Sequence, residues 1–202
     1  MPYDKQYFEK WYRDPRHRVR TPAELQRQVR FVVGVAEHLL NAPVRSVLDI
    51  GAGEGAWLPA LRAIRPRIKY WGVDPSAYAV RRHGARRNIV LGDATMLDSV
   101  AGIPDGVDLV VCSSVLNYLP PASLKSTLRQ IAHRTDGVAF LELYTKGDLE
   151  KIEGDTAPIG NRNASWYRDA LRDAGFIACG MHCYVTRRLA GRVTELERAG
   201  AD

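Results

Sequence analysis

One stretch constrains the fold more than any other: Val47-Leu48-Asp49-Ile50-Gly51-Ala52-Gly53-Glu54-Gly55. It begins as a short apolar run and ends in three alternating glycines. Trp57, Leu58, Leu61 and Ile64 then follow at helical spacing. The pattern predicts a buried strand, a tight loop and a helix. Glycine lets the backbone turn sharply and approach a ligand closely. In an open α/β sheet, ligands bind at the carboxyl ends of the strands, where this loop would lie.

The rest of the chain repeats the alternation. Strands are predicted over 68–73, 89–91, 107–112, 138–143 and 176–185, and helices over 76–83, 123–133, 165–174 and 188–199. Thr21-Pro22-Ala23-Glu24 is a helix start, because threonine caps, proline suits the first position and Glu24 completes a capping box. Leu25, Val29, Val32, Ala36 and Leu39 carry that helix to Asn41-Ala42-Pro43. The expected fold is α/β, a Rossmann-like, mostly parallel sheet of six or seven strands with helices on both faces. Residues 1–43 are expected to be an aromatic and basic arm plus a helix covering the ligand site, and residues 44–202 the core. The stretch 144–163 is long for a structureless connection, which marks it as a functional loop.

Composition narrows the class. Of 202 residues, 46% are hydrophobic and 26% charged, which excludes a disordered chain. There is no run long and apolar enough for a membrane span, and residues 1–20 lack the apolar segment of a secretory signal. Three cysteines do not make a disulfide framework, so a cytoplasmic setting is expected. The net charge of +6 is uneven: residues 61–90 hold eight Arg/Lys and one acid, whereas residues 91–120 hold four acids and no Arg/Lys. Such a basic stretch attracts nucleic acid or anionic metabolites, or is simply a solvated surface.

Three acids end three successive predicted strands. Asp49 lies two residues before Gly51, where it would repel a pyrophosphate and suit a cation. Asp74 ends Tyr70-Trp71-Gly72-Val73-Asp74, placed to accept from both hydroxyls of a ribose. Asp93, in Leu91-Gly92-Asp93-Ala94, is placed to accept from an adenine amino group. The Gly-x-Gly-x-Gly spacing and Asp49 both oppose an NAD-linked dehydrogenase.

With Val47–Gly55, Gly72–Ser76, Leu91–Ala94 and Asp108–Leu119 in order, the sequence resembles the class I S-adenosylmethionine (SAM)-dependent methyltransferases over roughly residues 44–185. The resemblance implies a seven-stranded sheet whose last strand is antiparallel, with SAM as cofactor. It implies that Gly51, Gly53 and Gly55 approach the methionine part of SAM, beside Asp49. Asp74 would take the ribose hydroxyls, and Asp93 and the Ala94 amide would address adenine. Pro75 and Ser113 fall in the matched stretches and complete the set. One departure is expected: 176–185 reads as a single strand followed by helix, so the final antiparallel strand would be missing or irregular.

No obvious general base appears. Asn117 and Tyr118 stand where many small-molecule members have histidine, and Glu142 and Tyr144 end a strand at the site's rim. These four are the candidate catalytic residues. The tetrad of base-amino methyltransferases, Asn/Asp/Ser-Pro-Pro-aromatic, is absent. Cys112 reads as core packing. Cys179, His182 and Cys183 would alternate across a strand, so no metal site is expected. In the arm, Tyr7, Trp11 and Tyr12 are expected to cover the pocket and meet substrate, with Arg13, Arg16 or Arg18 binding an anionic group bidentately. The expected activity is methyl transfer to an oxygen or nitrogen of a small-molecule acceptor, an anionic one if the arm's arginines bind it. The alternatives are an RNA methyltransferase using the basic surface, although no separate RNA-binding domain fits in this length, and a non-catalytic SAM-binding regulatory protein.

Overall fold

The computed structural model describes residues 3–152, 154–156 and 160–197. Seven strands form one sheet: β1 (Ser46–Ile50), β2 (Lys69–Asp74), β3 (Ile89–Leu91), β4 (Val107–Ser113), β5 (Thr135–Glu142), β6 (Phe176–Gly180) and β7 (Cys183–Thr186). Their order is β3-β2-β1-β4-β5-β7-β6. The first five pair in parallel, and β7 runs antiparallel to both β5 and β6. The order reverses between β1 and β4, and that switch point is where an open sheet binds its ligand.

Helices cover both faces, as the near-continuous apolar strands require. On one face α2 (Pro22–Leu40) buries Val29, Val32, Val33, Ala36 and Leu39 with Trp57, Leu58 and Leu61 of α3 (Trp57–Ile64). Val80 of α4 (Ala77–Arg87) joins their edge. On the other face α5 (Pro121–Arg134) contributes Leu124, Leu128 and Ile131, and α6 (Ala164–Asp173) contributes Tyr167, Ala170 and Leu171. The expected capping box of α2 is present: Thr21 Oγ1 accepts from Glu24 N at 3.2 Å, and Thr21 N donates to Glu24 Oε2 at 2.7 Å. Before it, α1 (Lys5–Phe8) runs directly into a π-helical turn, Glu9–Arg13. No helix among the described residues is long and apolar enough to cross a membrane.

Two expectations are corrected. The stretch 176–185 is not one strand but a hairpin, and its second arm, β7, is the antiparallel strand expected to be missing. The turn residues Met181 and His182 sit at φ 49° and 63°, after Gly180 at 86°. A tight hairpin turn wants positive φ at both central positions, which normally selects Asn or Gly. Met-His carries no such signal, and the apolar run hides the break. The Cys179–Cys183 stretch therefore does not alternate across one strand. Among the described residues, no three His, Cys, Asp or Glu side chains are grouped to hold a metal. The helix expected over 188–199 is instead two 3-10 turns, Arg187–Arg192 and Glu195–Glu197, and its last two residues lie outside those described. Within the expected loop 144–163, a 3-10 turn spans Lys146–Lys151, while residues 153 and 157–159 lie outside those described.

Candidate active site

The loop after β1 delivers its glycines to the switch point in left-handed conformations. Gly51 (φ 72°) is locked to its residue type, since a Cβ there would lie 2.1 Å from Val115 Cγ2. Gly53 (φ 54°) brings its backbone within reach of the arm, where a Cβ would lie 3.2 Å from Phe8 and from the Tyr12 hydroxyl. Gly55 differs: a Cβ there would lie 2.8 Å from Ile89 Cδ1, and the residue lines none of the cavities described below. It packs the loop onto β3, so its expected approach to the cofactor is not what the structure displays.

Two buried carboxyls face the loop. Asp74, 5% exposed, accepts from Gly53 N at 2.6 Å and Ser76 N at 2.8 Å. Burial raises its pKa despite those two bonds, which act to lower it. Asp49, 2% exposed, accepts from the Tyr70 hydroxyl at 2.7 Å. Burial pushes its pKa up to about 7, against the Tyr70 bond and with Asp74 adding to the rise. Each is a carboxylate taken out of water and short of partners, so a ligand bringing hydroxyl donors or a positive charge relieves both.

Two cavities open around this loop, and a third adjoins them. The first, about 170 Å³, is lined by Gly51, Gly53, Asp74, Pro75, Asp93, Ala94 and Ser113. Seven of the nine expected cofactor residues thus share one wall. Asp49 lines the adjoining second cavity, about 420 Å³. Asp93 also caps the following 3-10 turn, accepting from Thr95 N at 2.8 Å and Thr95 Oγ1 at 2.7 Å. A third cavity of about 40 Å³ lies beyond Ser114.

The arm covers the first cavity with Tyr3, Tyr7, Phe8 and Tyr12. Phe8 is 2% exposed and stacks on Tyr78 with centroids 5.8 Å apart. The arm is pinned where Ser76 Oγ donates to Tyr3 O at 2.5 Å and where Arg13 meets Glu54 at 2.5 Å. Tyr7, Trp11 and Tyr12 line the second cavity as well. Tyr12 is 41% exposed overall, yet its hydroxyl end points inward at Gly53. The arm's arginines differ in placement. Arg13 lines the second cavity but is engaged by Glu54, Arg16 is engaged by Asp14, and Arg18 lines none of the three cavities. Sequence reasoning passed over Tyr3 and Phe8, although Tyr3/Tyr7 and Phe8/Tyr12 carry the four-residue spacing of one helical side.

The expected catalytic residues separate into two kinds. Glu142 is buried and accepts from Arg20 Nη2 at 2.8 Å, Gln28 Nε2 at 3.2 Å, Ser114 Oγ at 3.2 Å and Ser113 Oγ. Burial acts to raise its pKa, but Arg20 and the Ser113 bond outweigh it, so the net shift is downward. Glu142 is therefore an ionised hub joining α2 to the ends of β4 and β5, and a poor proton acceptor. Asn117 is likewise committed: it donates to Tyr144 O at 2.7 Å and Tyr167 Oη at 3.0 Å and accepts from Tyr144 N at 3.2 Å. It holds the loop after β4 to the loop after β5. Tyr118 and Tyr144 do reach cavities. Burial is the main cause pushing both phenols up to about 12, so both are neutral hydroxyls at pH 7. Ser114, not singled out in the sequence, sits at φ 58°. A non-glycine residue held left-handed costs on the order of 1 kcal/mol and marks functional loops.

Known proteins resemble this arrangement. A family model described as a methyltransferase domain matches residues 5–191. No curated protein matches the sequence. Among solved structures, magnesium protoporphyrin IX methyltransferase from Synechocystis PCC 6803 with bound S-adenosylhomocysteine (SAH) is 21% identical at TM-score 0.62, covering 93% of this chain and 91% of that one. A SAM-dependent methyltransferase from Archaeoglobus fulgidus is 22% identical at 0.59, covering 85% and 73%. N,N-8-amino-8-demethyl-D-riboflavin dimethyltransferase from Streptomyces davawensis is 21% identical at 0.55, covering 79% and 56%. At these identities the structural likenesses carry the fold.

Proposed function

Because the chain belongs to the methyltransferase family whose model spans residues 5–191, we propose that it methylates an oxygen or nitrogen of a small-molecule acceptor. It is a SAM-dependent methyltransferase on a Rossmann-like sheet. Bound SAM supplies an electrophilic methyl group, open to one in-line displacement.

The two partner-poor carboxyls fit SAM on chemical grounds. Asp74 has spent two acceptor positions on backbone and keeps others for ribose hydroxyls. Asp49 suits the ammonium group of the methionine part, beside Gly51 and Gly53. Asp93 and the Ala94 amide suit adenine. Tyr3, Tyr7, Phe8 and Tyr12 of the arm exclude water over that pocket, which strengthens every electrostatic contact inside it. With Glu142 ionised but fully engaged and the phenols neutral, the chain's contribution to transfer is positioning and desolvation.

The observation that carries the small-acceptor reading is the arm itself. It occupies the mouth of the cofactor cavity, where a polymer would have to lie, and leaves about 40 Å³ beyond Ser114. Incubation with methyl-tritiated SAM and either a metabolite extract or bulk tRNA tests this. Label in small molecules supports it, and label in tRNA alone refutes it. The RNA reading draws on exposed Arg62, Arg67, Arg81, Arg82 and Arg86 around α3 and α4. It requires steeply salt-dependent binding, because phosphate contacts release counterions.

A further inference from the structure

Tyr7 and Ser114 line all three cavities, so the cavities meet between them. On the cofactor placement proposed above, the adenosine end faces Asp74 and Asp93 in the first cavity, and the amino-acid end faces Asp49 in the second. A ligand spanning both crosses the Tyr7–Ser114 junction with its middle, where the reactive centre of SAM lies. The third cavity opens onto that same junction.

The walls of the third cavity have a distinct chemistry. Tyr7, Tyr118 and Tyr144 supply the aromatic surface. Among the described residues lining it, Asp155 is the one acidic side chain, and no Arg or Lys takes part. Two arginines lie near it without lining it, and both are engaged: Arg20 with Glu142 at 2.8 Å, and Arg162 with the backbone oxygens of Asn117 and Leu119. Tyr118 donates to the backbone oxygen of Asp155 at 2.9 Å, which fixes that residue against the cavity. Asp155 lines the cavity beside Tyr7 and Tyr118, and after burial its charge is among those that raise the phenols of Tyr3, Tyr7 and Tyr118.

We propose that the third cavity is the acceptor's subsite and that it takes a small amine, its nitrogen seated between the tyrosine rings and the Asp155 carboxylate. This rests on the cofactor placement above. An ammonium group is attracted to ring faces and to a carboxylate. A carboxylate or phosphate acceptor would meet Asp155 with no Arg or Lys on the cavity wall to offset it. The anionic acceptor expected from the arm's arginines is thereby replaced by a cationic one. For transfer, the ammonium first gives one proton to water. Its nitrogen lone pair then forms the new C–N bond as the S–C bond breaks, and that bonding pair stays on sulfur. The methylated nitrogen, now positive, releases a second proton to solvent.

The test uses the full chain saturated with SAH and three probes sharing one ring: benzylamine, benzyl alcohol and benzoate. Their affinities are measured by calorimetry for wild type and Asp155→Asn. Benzylamine should bind about tenfold or more tighter than benzoate, as expected for one charge-assisted contact. Asp155→Asn should remove that preference while SAH affinity stays within about twofold of wild type. Benzoate binding as well as benzylamine, no benzylamine binding at millimolar concentration, or a preference that survives Asp155→Asn would each overturn the amine assignment. Failure of wild type to bind SAH is a different result: it removes the cofactor placement, and the subsite falls with it.

Discussion

Replacing Asp49 with asparagine separates two opposite effects of one buried carboxyl. In the folded chain its pKa is pushed up to about 7, chiefly by burial. Its unfolded value is about 4. Between those values the folded state binds more protons, so this group's contribution to stability falls as pH rises from about 4 to 7. Asparagine still offers Tyr70 an acceptor and never ionises. The free D49N protein is therefore expected to be more thermostable than wild type at pH 8, with the gap closing toward pH 5. Ligand binding runs the other way, because a cationic ligand needs the ionised form. If Asp49 is ionised throughout in the complex, lowering pH from 7.5 to 5.5 should weaken SAH binding about 25-fold, or about 1.9 kcal/mol. The groups facing Asp49 are Tyr12, Tyr70, Asp74 and Cys112, and all but Asp74 are hydroxyls or a thiol pushed further above this window by burial. The assay is calorimetry in two buffers of different ionisation enthalpy, which also counts the protons released. D49N should bind SAH about 10- to 100-fold more weakly at pH 8, with a flatter pH dependence. A flat wild-type profile, or a D49N protein destabilised at pH 8, would refute the reasoning.

Gly51→Ala places a methyl 2.1 Å from Val115 at positive φ, so a loss of several kcal/mol, or a displaced loop that no longer binds SAH, is expected by denaturant titration and calorimetry. Phe8→Ala removes a buried ring stacked on Tyr78 and should cost about 3–5 kcal/mol if the arm folds with the core. A much smaller loss with faster SAH dissociation would instead mark the arm as a separately opening cover. Arg20→Met leaves Glu142 with three neutral donors, and breaking such a buried pair costs about 3–5 kcal/mol. Since Glu142's folded pKa lies below its unfolded one, its contribution is present above the unfolded value and lost as pH falls through the folded one. Acid unfolding of wild type and variant should therefore converge at low pH.

That Asp74 and Asp93 line one cavity and Asp49 the adjoining one was legible because each lies at or near a strand's end, and strand ends converge at one edge of a parallel sheet. Asp49, Asp74 and Asp93 needed no long-range knowledge beyond that rule. The rest depends on contacts between distant parts of the chain. Glu142 meets Arg20 and Gln28 across 122 and 114 residues, and no local pattern announces that hub. Asn117 looked like a substitute for a catalytic histidine, yet its amide ties together two loops whose proximity only the fold creates. The β6–β7 hairpin escaped notice because Met181-His182 adopts a turn that its side chains do not favour. The aromatic arm was visible as composition, but which rings face inward follows from the pairing of Phe8 with Tyr78.

The most direct measurement is the thermal shift of wild type and Asp74→Ala with SAH, using NAD as the control ligand. At 100-fold above its dissociation constant, SAH should add about 2.7 kcal/mol, which for a domain of this size is roughly 5–10 °C. A shift given by SAH and not NAD, and reduced in Asp74→Ala, is the expected result. No shift at millimolar SAH, or an equal shift with NAD, would contradict the assignment of this pocket to SAM.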